Sequence, residues 1–507
     1  MYILGMVLLT LLVWASGAEA TCSGSGTSWS CTAGTTPAQV NSALSSATDG
    51  ATLTFAAGSY TWNDSIPFYN SKGVTLICAS LGACTVAASG LNMGLNGTCN
   101  GTNIHLYRIS GFVFNGGGNL IWYNANSTPP CTMTGIRIDH NTFSGQSADN
   151  RILMFGDNAN NSYFYGVVDH NTIINSSNVV LAEFYSSNGS NAPAGTRGTL
   201  NNMYFEDNTI AITTMTNSGA GCMDTTGSPG IVWRHNTMTN CLLAAHGTTG
   251  GGGVVNFEVY NNTFIVNAGS VGAGEQDGFR QFHHQGSGET LVFNNTFTTF
   301  AANGGHSIGM THYRSASPTT AGYSGQRCDG TAAGDGNRSG QLGYPCKRQP
   351  GRDVNGVLNP IYVWNNHYSD SGGLAVMTIE SGLWGETNPS VNDHIKLNRD
   401  VYNAVSVNAQ SSATSPFNGT TGMGFGTLAN RPTTCTTGPE AADAGHGGVG
   451  YFATDQGAQG TLYRCSAANS WVVHYTPYTY PHPLQAGGIG GGGDITAPGA
   501  PTNLRVQ

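Results

Sequence analysis

An all-β solenoid of stacked parallel strands is the fold the sequence predicts, and three observations predict it. A short phrase returns along the chain: IRIDHNTF from Ile136, GVVDHNTI from Gly166, YFEDNTI from Tyr204, VWRHNTM from Val232, FEVYNNTF from Phe257, LVFNNTF from Leu291 and YVWNNHY from Tyr362. Its asparagines (Asn141, Asn171, Asn208, Asn236, Asn262, Asn295, Asn366) are 30, 37, 28, 26, 33 and 71 residues apart, with a large apolar residue three before and two after each. The composition is the third observation, with only 9% charged residues and 73 glycines among 507. Such a chain is polar without strong charge repulsion, and its polar residues are largely Asn, Ser, Thr and Gly. Repetition at this period is the mark of a stacked architecture, in which each unit buries its apolar residues against its neighbours.

The elements follow in chain order. Residues 1–20 read as a signal peptide: an apolar run from Met6 to Trp14 precedes the small-x-small site Ala18-Glu19-Ala20, so the protein is expected outside the cell or on its surface. Residues 21–100 are expected to form an N-terminal cap and first coil, and 101–405 the stacked coils. Within each coil the repeat reads as strand, corner, strand. Asparagine is expected to take the left-handed conformation of the corner, and its amide to bond those above and below in a ladder. The long last spacing holds an insertion at 315–359, rich in Gly, Arg and Asp. Residues 406–486 read as a small β-rich C-terminal cap over the last coil, and 487–507 as a Gly-rich linker and tail.

All twelve cysteines follow the cleavage site, an even count that suggests disulfides in an oxidising compartment. Pairing along the chain would give Cys22–Cys31, Cys78–Cys84, Cys99–Cys131, Cys222–Cys241, Cys328–Cys346 and Cys435–Cys465, though sequence alone does not fix connectivity. The net charge of −9 excludes a cationic nucleic-acid binder. No later stretch reaches the ~20 apolar residues of a membrane span. A monomer is expected.

With these motifs in hand, the chain resembles the right-handed parallel β-helix proteins of the pectate lyase-like superfamily, over roughly residues 36–405. The opening from Thr36 (TPAQVNSALSSATDGATLTFAAGSYTWNDSIPF, then KGVTLICAS) resembles that family's helical cap and first strands, and NIHLYRISGFVFNGGG from Asn103 an early coil. The arginine-and-proline motif of one major pectate lyase family has no match here. The resemblance implies a right-handed β-helix and a substrate groove on the strand that follows the corner pair.

Two rows of side chains are candidates for chemistry, because equivalent residues on successive coils lie ~4.8 Å apart. The first lies two residues before each asparagine: Asp139, Asp169, Glu206, Arg234, Tyr260, Phe293 and Trp364. It alternates with inward apolar positions and is expected to face outward. The three carboxylates could hold calcium, although nothing in the sequence requires a cofactor. Tyr260, Phe293 and Trp364 would form a strip that stacks on sugars or lies beneath the 315–359 insertion. The second row comes from VLAEFYSS, GCMDTTGS, LLAAHGTTG, FRQFHHQGSG, MTHYRSAS and VMTIESG. It would gather Glu183, Asp224, His246, His283 or His284, His312 and Glu380, flanked by Arg280 and Arg314.

A lyase must neutralise a uronate, remove a proton and protonate the leaving oxygen. Arg280 or Arg314 could do the first, and His284 or His312 could act as base near neutral pH. A hydrolase would instead use the carboxyl pair Asp224 and Glu183. An enzyme acting on an extended acidic extracellular polysaccharide is therefore expected, with the lyase favoured over the hydrolase. The alternative is a non-catalytic surface or adhesive β-helix that binds glycans or partners.

Overall fold

The computed structural model describes most residues between 19 and 486. The main stretches outside the described residues are 1–18, 124–130, 185–195, 214–221, 246–253, 268–281, 299–307, 311–344, 380–394, 405–416, 439–445 and 487–507, together with shorter loops between coils. Three parallel sheets run the length of the described body, one of fourteen strands and two of ten, and each coil contributes one strand to each. The chain is a right-handed parallel β-helix, as expected. We call the sheet entering the asparagine corner the first sheet, the one leaving it the second, and the next the third.

The N-terminal end is closed by short-range devices. The hairpin Cys22–Ser25/Ser28–Cys31 is clasped by Cys22–Cys31 across its register, and its second strand opens the first sheet by pairing in parallel with Ala51–Phe55. Helix α1 (Pro37–Ser46) carries Pro37 in its first turn, where a missing N–H costs nothing, and the Thr36 N–H donates to Gln39 Oε1 at 2.8 Å. It buries Pro37, Val40, Ala43 and Leu44 against the solenoid's opening.

Alternation fills the interior. Ile138, Val168, Phe205, Trp233, Val259, Val292 and Val363 from the first sheet meet Phe143, Ile173, Ile210, Met238, Phe264 and Phe297 from the second, all at most 1% exposed. Like stacks on like from coil to coil, with ring centroids at 4.4 Å for Phe205–Trp233 and 4.7 Å for Phe264–Phe297.

The asparagine ladder is present, with one correction. The left-handed residue is the one before each asparagine: His140, His170, Asp207, His235, Asn261, Asn294 and Asn365 have φ between 52° and 59°. The asparagine itself turns inward. Asn171 Oδ1 accepts from the backbone N–H and the side-chain amide of Asn141 at 3.0 and 3.1 Å, and the pattern repeats through Asn366. Each rung therefore offsets the strain of a left-handed residue whose types, His, Asp and Asn, tolerate that region best.

The C-terminal residues fold into a four-stranded sheet: Met423–Gly426 parallel to Gly450–Ala453, then Thr461–Ala467 and Ser470–Tyr475 antiparallel. A bridge from Ala404 to Met423 joins it to the last coil. From there it lies back along the outer face of the first sheet, and a second apolar cluster forms between them. Val167, Tyr204, Val232, Tyr260, Leu291, Phe293, Tyr362 and Trp364 meet Met423, Tyr451, Phe452, Leu462 and Tyr475. It is less an end cap than a lateral cover. Four of the expected disulfides are present, Cys22–Cys31, Cys78–Cys84, Cys222–Cys241 and Cys435–Cys465. The pairings Cys99–Cys131 and Cys328–Cys346 rest on residues outside the described set.

Candidate functional site

The third sheet positions the second row by backbone register alone. Glu183 (strand Val180–Phe184) pairs with Asp224 (Met223–Thr225), Asp224 with Ala244 (Leu243–Ala245), and Ala244 with His283 (Phe282–His284). The row continues to Gly309 and Thr378 in one direction and to Met154 and Trp122 in the other. On either side of it along each strand the positions are core: Ala182, Met223, Leu243 and Ile308 in one flanking row, and Phe184, Thr225, Ala245 and Met310 in the other, all at most 3% exposed. Alternation therefore turns the Glu183–Asp224 row away from the core.

The register settles one alternative left open by the sequence. His283 occupies the position held by Glu183 and Asp224, whereas His284 shares its row with the buried Thr225, Ala245 and Met310. His246 was expected in the same row, but Ala244 takes that place, two residues earlier. His246, Arg280, His312, Arg314 and Glu380 lie outside the described residues. Arg151 was not anticipated. Its guanidinium forms an ion pair with the Glu183 carboxylate, and it stays 39% exposed while Glu183 is covered. Its signal was available, since RILMF precedes VLAEF by one coil with Arg151 in register with Val180.

The first row faces away from the coil interior, as expected, but it is not open to solvent. Asp139, Asp169, Glu206, Arg234 and Tyr260 are fully buried, and Phe293 and Trp364 are 1% exposed. The aromatic strip is a continuous stack, Tyr260–Phe293 at 4.5 Å and Phe293–Trp364 at 4.2 Å. Phe452 of the C-terminal sheet packs on both Phe293 and Trp364. Tyr260, Phe293 and Trp364 therefore form a second core and offer no face to a glycan. Among the described residues their cover is the C-terminal sheet, and most of the 315–359 insertion lies outside the described residues.

The carboxylates of that row do not suit calcium. Arg108 grips Asp139 through Nε and Nη2 at 2.7 and 2.6 Å, Arg137 grips Asp169 at 3.2 and 3.1 Å, and Arg234 pairs with Glu206. Burial pushes the Asp139 carboxyl up, yet hydrogen bonds from Arg108 and His140 and the charge of Arg137 hold it well below the usual range. Guanidiniums interleave where a dication would sit, and among the described residues no three acidic, histidine or cysteine side chains converge as a metal site. Asp139, Asp169 and Glu206 form an ion-pair row.

The last residues of the C-terminal segment complete it. Arg234 donates to the carbonyls of Tyr478 and Thr479 at 2.6 and 2.8 Å, and Arg137 Nη1 to that of Leu484 at 2.8 Å. Glu206 accepts from the His482 backbone N–H at 3.0 Å and from Gln485 Nε2 at 2.6 Å. Farther along, Tyr475 Oη donates to Glu258 at 2.5 Å, and Glu289 takes both Arg197 and His474. Every charge sealed under the cover has a counter-charge or a donor, which is the condition for burying it.

No family model matches the chain, and no curated protein matches it in sequence. Among solved structures it is similar to a PL6 family polysaccharide lyase from Pseudopedobacter saltans, at 14% identity over 81% of this chain and 87% of that one, with a TM-score of 0.32.

Proposed function

We propose that this is a secreted β-helix enzyme that cleaves an extended acidic polysaccharide by elimination on the outer face of its third sheet. The observation that carries the reading is the row Glu183, Asp224, His283 in one backbone register. The other long row of ionisable groups is sealed beneath the C-terminal sheet. An elongated polymer lying along the third sheet would meet a paired arginine–glutamate, a carboxylate and a histidine within five successive coils.

In this reading His283 removes the proton beside the uronate carboxyl, the role for which an imidazole titrating near neutrality is suited. Asp224 orients the sugar, and Arg151, held by Glu183, presents a cation to the acidic chain. Arg280, Arg314, His246 and His312, which lie close in sequence to these strands, are candidates to complete the site. Hydrolysis is the second reading, and one observation favours it. Glu183 and Asp224 sit on adjacent coils, ~4.8 Å apart along the sheet, near the spacing of the two carboxyls in retaining glycosidases. On this reading Glu183, already paired with Arg151, is the nucleophile.

The test is incubation of the mature protein with acidic and neutral polysaccharides, following ultraviolet absorbance of unsaturated ends and counting reducing ends in parallel. Unsaturated product lost in His283→Ala, with the fold intact, supports elimination. Reducing ends without unsaturation, lost in Asp224→Asn, move the chemistry to hydrolysis. Silence in both assays leaves the non-catalytic glycan-binding reading.

A further inference from the structure

Most arginines of the described chain sit on carboxylates, as at Arg234–Glu206, Arg137–Asp169 and Arg197–Glu289. Arg431 does not. It lies in the loop before Cys435 with its guanidinium 4.3 Å above the Tyr463 ring and 5.6 Å from that of Trp471, and its Nη1 is buried without a hydrogen-bond partner. In a protein of net charge −9, a planar cation left on aromatic rings stands out.

The surroundings are rigid. Trp471 Nε1 donates to the Pro432 carbonyl at 2.8 Å, and Trp471 pairs across the strands with Cys465, whose disulfide to Cys435 ties the loop to the sheet. Asn469 clasps Cys435 from both sides, donating from its N–H to the Cys435 carbonyl at 2.9 Å and accepting the Cys435 N–H on Oδ1 at 3.1 Å. Beside Tyr463 in register is Val473, 63% exposed on the edge strand. The result is a small preformed ledge: one unpaired guanidinium, two partly exposed aromatics and an exposed aliphatic residue.

We infer that this ledge is a second binding site for an acidic polysaccharide, which takes a uronate carboxylate on Arg431 and the apolar face of a sugar against Tyr463, Trp471 and Val473. With Nη1 buried, the donors left to a ligand are Nε and Nη2, an edge that matches a carboxylate in two parallel hydrogen bonds. Charge complementarity selects the occupant. A protein partner would need about 800 Å² on this side, whereas a polymer needs only shallow, repeated contacts. The inference takes its ligand from the acidic-polymer reading above, but not the cleavage chemistry.

Affinity electrophoresis of the full chain through gels containing polygalacturonate, alginate or dextran tests it. The wild type should be retarded by an acidic polymer and not by dextran. Arg431→Gln should weaken that retardation about tenfold, the loss of one charge-assisted hydrogen-bonded contact. Arg431→Lys, which keeps the charge but not the fork, should fall between, and the exposed Val473→Ser provides a second variant with little risk to folding. Retardation equal to wild type in folded Arg431→Gln overturns the ledge, as does no retardation by either acidic polymer. Cleavage assays on the same preparations separate the two readings. Arg431-dependent retardation without cleavage keeps the ledge and removes the lyase. Cleavage with retardation indifferent to Arg431 does the reverse.

Discussion

Replacing Asn208 with leucine should destabilise the solenoid far more than its single position suggests. Asn208 Oδ1 accepts from the backbone N–H of Asn171 at 3.0 Å and from its amide at 3.1 Å. Its Nδ2 donates to the Val168 carbonyl at 2.9 Å and to Asn236 Oδ1 at 3.0 Å. Leucine keeps only the backbone bonds, the donation to Asn236 Oδ1 and the acceptance from the Thr237 N–H. Two groups lose these bonds with no water to replace them, the Asn171 N–H and the Val168 carbonyl. At about 1–3 kcal/mol for each unsatisfied buried group, the cost is about 2–6 kcal/mol, a large share of the 5–15 that holds a typical fold. The neighbouring Thr209→Ala is the control, because Thr209 is exposed and such a change costs roughly 0.5 kcal/mol or less. Thermal midpoints followed by circular dichroism at one scan rate compare the two directly. A loss of several degrees in Asn208→Leu against almost none in Thr209→Ala is expected. Equal midpoints would refute the claim that the ladder carries the corner.

Further outcomes follow from the same contacts. His482 is fully buried in the C-terminal cover, between the Tyr204 and Tyr478 rings, with its backbone N–H on Glu206. Burial, then the charges of Arg234 and Arg137, push its imidazole down to about 3. The folded state refuses a proton that the unfolded chain accepts, so this stabilisation is complete above about pH 6.5 and fades as pH falls toward 3. Burial raises the Glu206 carboxyl to about 7, and this contributes in the opposite sense between about pH 4.5 and 7. The difference between wild type and His482→Asn isolates the histidine, and the wild type should lose more stability on acidification; parallel pH profiles would argue against it. Removing Cys435–Cys465 by paired serine substitutions should cost the C-terminal sheet about 2–4 kcal/mol, read as earlier proteolysis of residues 417–486. Phe293→Ala should destabilise by about 3–5 kcal/mol through the cavity left between Tyr260, Trp364 and Phe452. A near-neutral result there would mean that the strip is open to solvent after all.

The sequence by itself determined the coil. Asparagine at one corner per turn, with apolar residues at fixed offsets on both sides, left a single way to bury those residues, and Ile138, Val168 and Phe143, Ile173 lie where the pattern puts them. The local disulfides were equally legible, because Cys22–Cys31 and Cys78–Cys84 close short loops. The sequence also carried an unread sign about the first sheet: VVD, YFE, VWR, EVY and LVF are apolar in both alternating positions, the signature of a strand covered on two faces. What it could not supply was the identity of the cover, since Tyr475, His482 and Gln485 meet Glu258, Tyr204 and Glu206 across more than 200 residues. Register in the third sheet was the other gap. Loops of variable length separate its strands, and a slip of one residue exchanges the outer face for the core. Only the assembled helix decided that His283, and not His284, shares a row with Asp224. Side-chain type is written in the chain, whereas the face a side chain presents is set by neighbours one coil away and by a segment that folds back at its far end.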